Sequence, residues 1–181
     1  MTPPRGNYFA AFPASLPEDS LEELRLNAPP RLRWFHPEDL HLTIAFLGPE
    51  NSSRIPALLD ILDDIPPPPQ TITLGPLMAL PTRRRPTACS FALAKGNTTV
   101  TSLMQEWRPY LLKLAGRPPD EREPLPHLTV ARPPRRGGNT KELLEWLGGV
   151  KPPTAPVALA PPVLYGWSSN RPRRQFRIIA S

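Results

Sequence analysis

Residues 40–47 read LHLTIAFL and residues 126–132 read PHLTVAR, so the tripeptide His-Leu-Thr occurs twice in similar apolar surroundings. The chain has only three histidines among its 181 residues, and two of them stand in these tripeptides. Each stretch is short, rich in β-branched residues and bounded by turn-forming residues, which predicts a β-strand. The repeat therefore predicts two equivalent strands, one in each half of the chain.

The elements predicted around the two strands occur in the same order. Those of the first half are a strand at 8–12, a helix at 19–26 opened by a Ser20/Glu23 capping box, the strand LHLTIAFL, a helix marked by Ile55, Leu58, Leu59 and Leu62, and a strand at 71–80. Those of the second half are a strand at 89–94, a helix from Val100 to Leu114, the strand HLTVA, a helix capped by Asn139, and a strand at 156–167. His41 and His127 are 86 positions apart, so each half is a β-α-β-α-β unit of similar length.

Two such units predict a single α+β domain over residues 1–181. Its lobes would be pseudo-repeats of roughly 8–80 and 89–167, and whether they exchange strands stays open. Side chains alternate between the two faces of a strand. One face of the first strand would then carry His41, Thr43 and Ala45, and the other would carry Leu42, Ile44 and Phe46 against helices. The same alternation places His127 and Thr129 together, so we expect both His-Thr faces to line one cleft.

Two imidazoles and two hydroxyls in one cleft are suited to acid-base catalysis on a bound anion. With a pKa near 6.5, one imidazole can act as a base while the other acts as an acid, and hydroxyls with an arginine can hold an anion between them. A phosphodiester that undergoes in-line displacement needs an acid and a base on opposite sides. A zinc site would require a third ligand, and His36 precedes a proline on a predicted loop. We therefore expect no metal. No nucleotide-binding glycine motif is present, so we expect no cofactor either.

The charge of the chain favours an anionic partner. The formal net charge is +6, and 18 arginines outnumber 4 lysines. Guanidinium groups match phosphate oxygens, although a GC-rich genome or adaptation to heat would also enrich arginine. The arginines cluster at 83–85, 132–136 and 171–177. No apolar run is long enough for a membrane span and Cys89 stands alone, so we expect a cytoplasmic monomer without disulfides.

The paired H-x-T motifs resemble the signature of the two-histidine (2H) phosphoesterase superfamily. The stretch RWFHPEDLHLTIAFLG at 33–48 is similar to its RNA 2',3'-cyclic phosphodiesterase branch, often labelled 2'-5' RNA ligase. The resemblance extends from YFA near the N-terminus to LYGWSSNRPRRQF near the C-terminus. It implies a bilobal fold in which antiparallel sheets line a central cleft, helices lie outside, and catalysis needs no metal.

The resemblance also implies roles for particular residues. His41 and His127 would be the acid-base pair, and Thr43 and Thr129 would bind the phosphate. Arg132 stands where the family has an arginine after the second motif, but simple alternation turns it away from the His-Thr face unless the strand ends or bulges. The family places an arginine just before the first strand where this chain has Gly6, so a role for Arg5 is doubtful.

The implied reaction is hydrolysis of an RNA 2',3'-cyclic phosphate to a 2'-phosphate, on RNA ends or on small cyclic nucleotides. His127 would activate the water and His41 would protonate the departing 3'-oxygen. Trp34, Trp167 or Phe176 could stack a base. Two alternatives stay open: the reverse reaction, which makes a 2'-5' linkage, and an RNA- or nucleotide-binding module with little turnover.

Overall fold

The computed structural model describes residues 6–170 and 173–179. Arg5 lies outside them, as do the first two residues of the arginine cluster at 171–177. The described strands are β1 (Asn7–Ser15), β2 (Arg33–Trp34), β3 (His41–Pro49), β4 (Thr71–Pro81), β5 (Pro86–Lys95), β6 (His127–Arg132), β7 (Val157–Leu159), β8 (Val163–Trp167) and β9 (Phe176–Ile178). The α-helices are α1 (Glu18–Leu26), α2 (Ile55–Asp64), α3 (Asn97–Leu114) and α4 (Thr140–Gly149), and short 3-10 helices occupy Pro37–Asp39 and Ser52–Arg54.

The strands form two antiparallel groups, and each contains one His-Leu-Thr strand. The first group has the order β3-β1-β8-β9 and the second has the order β2-β6-β5-β4. The short strand β7 joins them, because it pairs with the end of β1 and with the start of β4. The predicted α+β class with antiparallel sheets is confirmed.

Each group takes strands from both halves of the sequence. β4 belongs to the first half but pairs with β5, whereas β8 belongs to the second half but pairs with β1. The short β2 also crosses over and pairs with β6. Each His-Leu-Thr strand is therefore held in a sheet that needs both halves of the chain.

The helices pack on the sheets through apolar side chains at helical spacing. α2 contacts β8, α3 contacts β3 and β5, and α4 contacts β4. In α3 the buried side chains are Val100, Leu103, Met104, Leu111 and Leu112. Burial of each such side chain contributes about 1.5 to 3 kcal/mol. The opposite faces of the two sheets, which point away from the helices, form the site.

Two local predictions are wrong. Ser20 and Glu23 form no capping box, because α1 begins at Glu18 and its N-cap is Pro17, which has no side-chain hydrogen bond. The single strand expected at 156–167 is two strands, β7 and β8. Pro161 and Pro162 lie between them, and proline has no N–H to donate to a ladder. Asn139 caps α4 as predicted, since its side-chain oxygen accepts the Glu142 N–H at 3.2 Å.

Candidate active site

Three polar side chains are buried in the part of the chain that the structure describes, and all three lie at the His-Leu-Thr strands. They are Asp39, His41 and Ser90. Burial of a polar group costs free energy unless the group is hydrogen-bonded, so such residues are rare inside proteins. Their clustering identifies this region as the candidate site.

Both repeated histidines are anchored in the same way. The Nδ1 atom of His41 lies 2.7 Å from the carbonyl oxygen of Asp39, and that of His127 lies 2.7 Å from the carbonyl oxygen of Leu125. A carbonyl oxygen can only accept, so Nδ1 carries the proton in both rings. Each neutral imidazole therefore keeps Nε2 as a free acceptor, and the sequence repeat is also a repeat of hydrogen bonding.

A β-bulge follows the tripeptide in each strand. Ala10 and Ala11 of β1 pair with Ala45 and Thr43, so Ile44 is an extra residue in β3. In the second group, Cys89 and Ser90 of β5 pair with Ala131 and Thr129, so Val130 is extra in β6. The carbonyl of Ile44 accepts Arg108 Nε at 3.1 Å, and the carbonyl of Val130 accepts the Phe35 N–H at 2.9 Å. The bulges are thus held by specific partners.

The bulges change which residues share a face with the histidines. Beyond Ile44 the expected alternation is wrong, because Phe46, rather than Ala45, lies on the His41 face. Phe46 pairs with Phe9, whose ring lies 4.8 Å from that of His41. Phe46 is 66% exposed, whereas Ala45 is buried. The sequence pattern pointed Phe46 at the helices, so it gave no signal for this aromatic side chain beside the site.

Arg132 is the residue of β6 that corresponds to Phe46, 86 positions later. The sequence required β6 to end or bulge if Arg132 is to reach the His-Thr face. The bulge at Val130 meets this requirement and turns Arg132 toward that face. Its guanidinium carbon lies 5.7 Å from the ring centroid of Phe35, and that ring lies 6.3 Å from the His41 ring. Arg132 therefore places a positive charge close to His41.

His41 is enclosed by aromatic rings from three elements. The ring centroids of Phe9, Phe176 and Tyr165 lie 4.8, 5.3 and 5.4 Å from that of His41. This burial lowers the pKa of His41 to about 4, and the nearby charges of His127 and Arg132 act in the same direction. The hydrogen bond to the Asp39 carbonyl and the Asp39 charge oppose the shift. In the free protein His41 is therefore neutral at pH 7.

The second imidazole is less enclosed. Burial lowers the pKa of His127 as well, while the hydrogen bond to Leu125 opposes that change. The charge of His127 reaches His41, so protonation of one ring makes protonation of the other harder. An anion between the two rings would favour the protonated form of either one.

The two threonines differ in their surroundings. The Thr129 hydroxyl lies 2.9 Å from the Ser90 hydroxyl of the paired strand β5. Thr43 pairs instead with Ala11 of β1, and its side chain has no hydrogen bond to any of the described residues. Ser90 was not singled out in the sequence, because only strand pairing reveals that it faces Thr129.

Asp39 fixes the segment that leads into β3. Its carboxylate accepts Arg174 Nε at 2.9 Å and the Gln175 backbone N–H at 2.7 Å, and Arg174 also bonds Glu38. The next residue, Phe176, packs edge-on against His41. The C-terminal segment therefore fixes the residue whose carbonyl anchors His41, and it also supplies one of the aromatic rings around His41.

The other residues considered from sequence lie in different settings. His36 accepts the Glu38 N–H at 3.2 Å and caps the first 3-10 helix. Phe176 is only 8% exposed, so its ring is covered by neighbouring side chains. Trp34 packs edge-on against Trp146, and Trp167 is 38% exposed. Within residues 6–170 and 173–179, no three His, Cys, Asp or Glu side chains are grouped so that they could hold a metal ion.

A family model described as LigT like Phosphoesterase matches residues 15–89, which contain the first His-Leu-Thr strand. This match covers less than half of the chain, so it shows that residues 15–89 are similar to that family. No curated protein matches its sequence significantly. None of the helices among the described residues is both long and apolar enough to cross a membrane.

Solved structures share the fold of this protein over nearly the whole chain. E. coli LigT in complex with 3'-AMP aligns with a TM-score of 0.67 at 22% identity, over 97% of this chain and 95% of that chain. A structure described as a phosphoesterase gives 0.64 at 21% identity, over 97% and 96%. The protein TT0787 of Thermus thermophilus gives 0.60 at 19% identity, over 96% and 95%.

Proposed function

We propose that this protein is a two-histidine phosphoesterase, and specifically an RNA 2',3'-cyclic phosphodiesterase that opens the cyclic phosphate to a 2'-phosphate without a metal ion. The observation that carries the proposal is the matched pair of imidazoles, each tied through Nδ1 to a carbonyl at 2.7 Å and each with Nε2 free. One such group can accept a proton while the other donates one. A phosphodiester between them is the substrate that uses both.

The proposed reaction is an in-line displacement at phosphorus. His127 Nε2 takes a proton from water as the water oxygen bonds to phosphorus, and His41 Nε2 gives its proton to the departing 3'-oxygen. The product carries a phosphate on the 2'-oxygen and a free 3'-hydroxyl. Because the pKa of His41 is about 4, its protonated form is a strong donor, and the substrate anion supplies the charge that stabilises that form.

The remaining groups would hold the phosphoryl oxygens and the nucleoside. Thr43 and Thr129 lie on the same faces as the histidines, and the bulge brings Arg132 to that face. Hydrogen-bond donors fixed in advance stabilise the charge that develops on phosphoryl oxygens. The exposed ring of Phe46 offers a surface on which a base can stack.

The class of substrate follows from the chemistry of the ring. A 2',3'-cyclic phosphate requires a 2'-hydroxyl, so RNA forms it and DNA does not. E. coli LigT, which shares the fold, has been solved with 3'-AMP, ATP and NADP+, which supports a nucleotide as the ligand of this protein. The reverse reaction, in which a 5'-hydroxyl replaces water, would use the same residues.

The direct test is a ring-opening assay in excess EDTA. We expect an oligonucleotide that ends in a 2',3'-cyclic phosphate to be converted to a 2'-phosphate end, as identified by phosphorus NMR. Added 5'-hydroxyl RNA would reveal any 2'-5' joining. Tight binding with no ring-opened product would favour a binding module, and a 3'-phosphate product would reverse the assigned direction of opening.

The threonines should contribute less than the histidines, and in different ways. Thr43→Val and Thr129→Val each remove one hydrogen bond to phosphate. Each should lower kcat/KM, and the loss of transition-state stabilisation should be about 1 to 3 kcal/mol. Ser90→Ala should give a smaller loss, because it frees the Thr129 hydroxyl without removing it. Ser90→Ala in the Thr129→Val background should then have little further effect on kcat/KM.

The matched control is Thr87→Val on the same strand as Ser90. The Thr87 hydroxyl bonds the Leu80 carbonyl, away from the histidines. It should leave kcat/KM unchanged. Equal losses for Thr87→Val and Thr129→Val would remove the argument for a phosphate contact.

A further inference from the structure

Two arginine clusters that are distant in sequence meet in one pocket of about 330 Å³ outside the histidine cleft. One cluster supplies Arg84 and Arg85, and the other supplies Arg135 and Arg136. Arg31 adds a fifth guanidinium, and its Nη1 donates to the Gly137 carbonyl at 3.4 Å, which links two of the loops around the pocket.

The pocket has an uncompensated positive charge. Glu142 is the one acidic side chain among the described residues that line it. No salt bridge within residues 6–170 and 173–179 involves any of the five arginines. Guanidinium groups of like charge repel one another, so their concentration without acidic partners favours the binding of an anion.

The pocket walls are stiff. Five prolines, whose φ angles are fixed, line them: Pro29, Pro30, Pro86, Pro133 and Pro134. Asn139, the N-cap of the ten-residue helix α4, and Thr140, its first residue, also line the pocket. A rigid wall lowers the entropy cost of holding several arginines around one ligand.

The pocket lies at the end of a strand that also carries residues of the histidine cleft. Pro133 follows Arg132 at the end of β6, Leu32 precedes β2, and Pro86 begins β5, so the pocket lies at the sheet edge where these strands meet. Four residues of strand, about 13 Å, separate Thr129 from Pro133. Arg132 stands between this edge and His41, beside Phe35.

We propose that this arginine pocket, lined by Arg31, Arg84, Arg85, Arg135 and Arg136, binds backbone phosphates of the RNA strand that leads to the reacting 3' end. The inference rests on the proposed function, because it assigns the body of the substrate to a second surface. A strand that leaves the cleft past Arg132 meets the pocket within a few nucleotides. A cyclic mononucleotide has no further phosphates and does not reach it.

The test compares a long and a short substrate. The double variant Arg85→Gln/Arg136→Gln removes one guanidinium from each cluster and leaves the histidine cleft intact. For a ten-nucleotide RNA with a 2',3'-cyclic end at low salt, we expect KM to rise about tenfold with kcat unchanged. For 2',3'-cyclic AMP, both constants should stay as in the wild type. The slope of log affinity against log salt should become shallower by about 1.4, since two phosphate contacts are lost.

The matched control removes the same charge elsewhere. Lys113→Gln/Lys151→Gln changes two exposed lysines that do not line the pocket. Its KM for the long RNA should rise less than twofold. The proposal is overturned if the control and the pocket variant weaken RNA equally, or if the pocket variant leaves the KM of the long RNA unchanged.

Failure of the proposed function can be told apart from failure of the pocket. If the wild type opens neither substrate, fluorescence anisotropy with a ten-nucleotide RNA that ends in a 3'-hydroxyl still measures binding. The pocket assignment then requires weaker RNA binding by Arg85→Gln/Arg136→Gln than by the control. Displacement of the RNA by polyglutamate at lower concentration than by unlabelled RNA would assign the pocket to an acidic peptide and overturn the proposal.

Discussion

Replacement of either His41 or His127 by alanine is expected to lower turnover of a 2',3'-cyclic phosphate on the order of 10² to 10⁴-fold. This corresponds to about 3 to 5 kcal/mol of activation free energy. Each imidazole is held in one tautomer by a carbonyl at 2.7 Å, and the other ring of the pair is already assigned to the second proton transfer. RNA binding should change little, because the arginines remain. Single-turnover kinetics with saturating enzyme measures the effect on the chemical step.

The double variant His41→Ala/His127→Ala should lose less than the product of the two single losses. The two proton transfers belong to one displacement, so once one is absent the other has little left to accelerate. His36→Ala is the internal control, since His36 caps a 3-10 helix rather than facing the cleft. If His36→Ala abolished activity while both single variants stayed within about threefold of the wild type, the tripeptides would be structural.

Arg174→Ala is expected to lower the free energy of unfolding by about 3 kcal/mol. It removes the guanidinium that bonds the fully buried carboxylate of Asp39, and a buried charge that loses its partner is strongly destabilising. The Gln175 N–H remains as a partner and limits the loss. Urea denaturation measures the change. Turnover should also fall, because Asp39 carries the carbonyl that anchors His41.

The control for this prediction is Arg177→Ala. Arg177 bonds Glu50 at 2.9 Å, but both side chains are partly exposed. Such pairs contribute about 0 to 1 kcal/mol, so the variant should be nearly as stable as the wild type. Equal destabilisation by Arg174→Ala and Arg177→Ala would show that the buried bond to Asp39 contributes no more to the free energy of unfolding than the partly exposed ion pair.

The features that could be predicted from sequence are local ones. His-Leu-Thr appears twice within apolar stretches, and the helix from Asn97 to Leu114 repeats apolar residues at helical spacing, so each gives a signal within a short window. The helix start at α1 shows the limit of local rules, because Ser20 and Glu23 have the spacing of a capping box. The backbone instead enters the helix at Pro17, which places Ser20 inside the first turn.

The features that could not be predicted depend on partner strands. The bulges at Ile44 and Val130 exist only relative to β1 and β5, yet they decide that Phe46 and Arg132 face the site. Ser90 becomes significant only because it pairs with Thr129. The pairing of β5 with β6 also brings Arg84 and Arg85 beside Arg135 and Arg136. Long-range pairing, rather than local propensity, therefore completes the site.

The pH dependence of turnover in excess EDTA tests the central claim most directly, because the mechanism requires one imidazole to be neutral while the other is protonated. Burial lowers the pKa values of both His41 and His127, so the bell-shaped profile of kcat/KM for the free enzyme should have its maximum below pH 6.5. The bound phosphate anion favours the protonated imidazole, so the maximum for kcat should lie at higher pH than that for kcat/KM. A rate that rises steadily to pH 10, or activity that EDTA removes, would contradict catalysis by this pair of histidines.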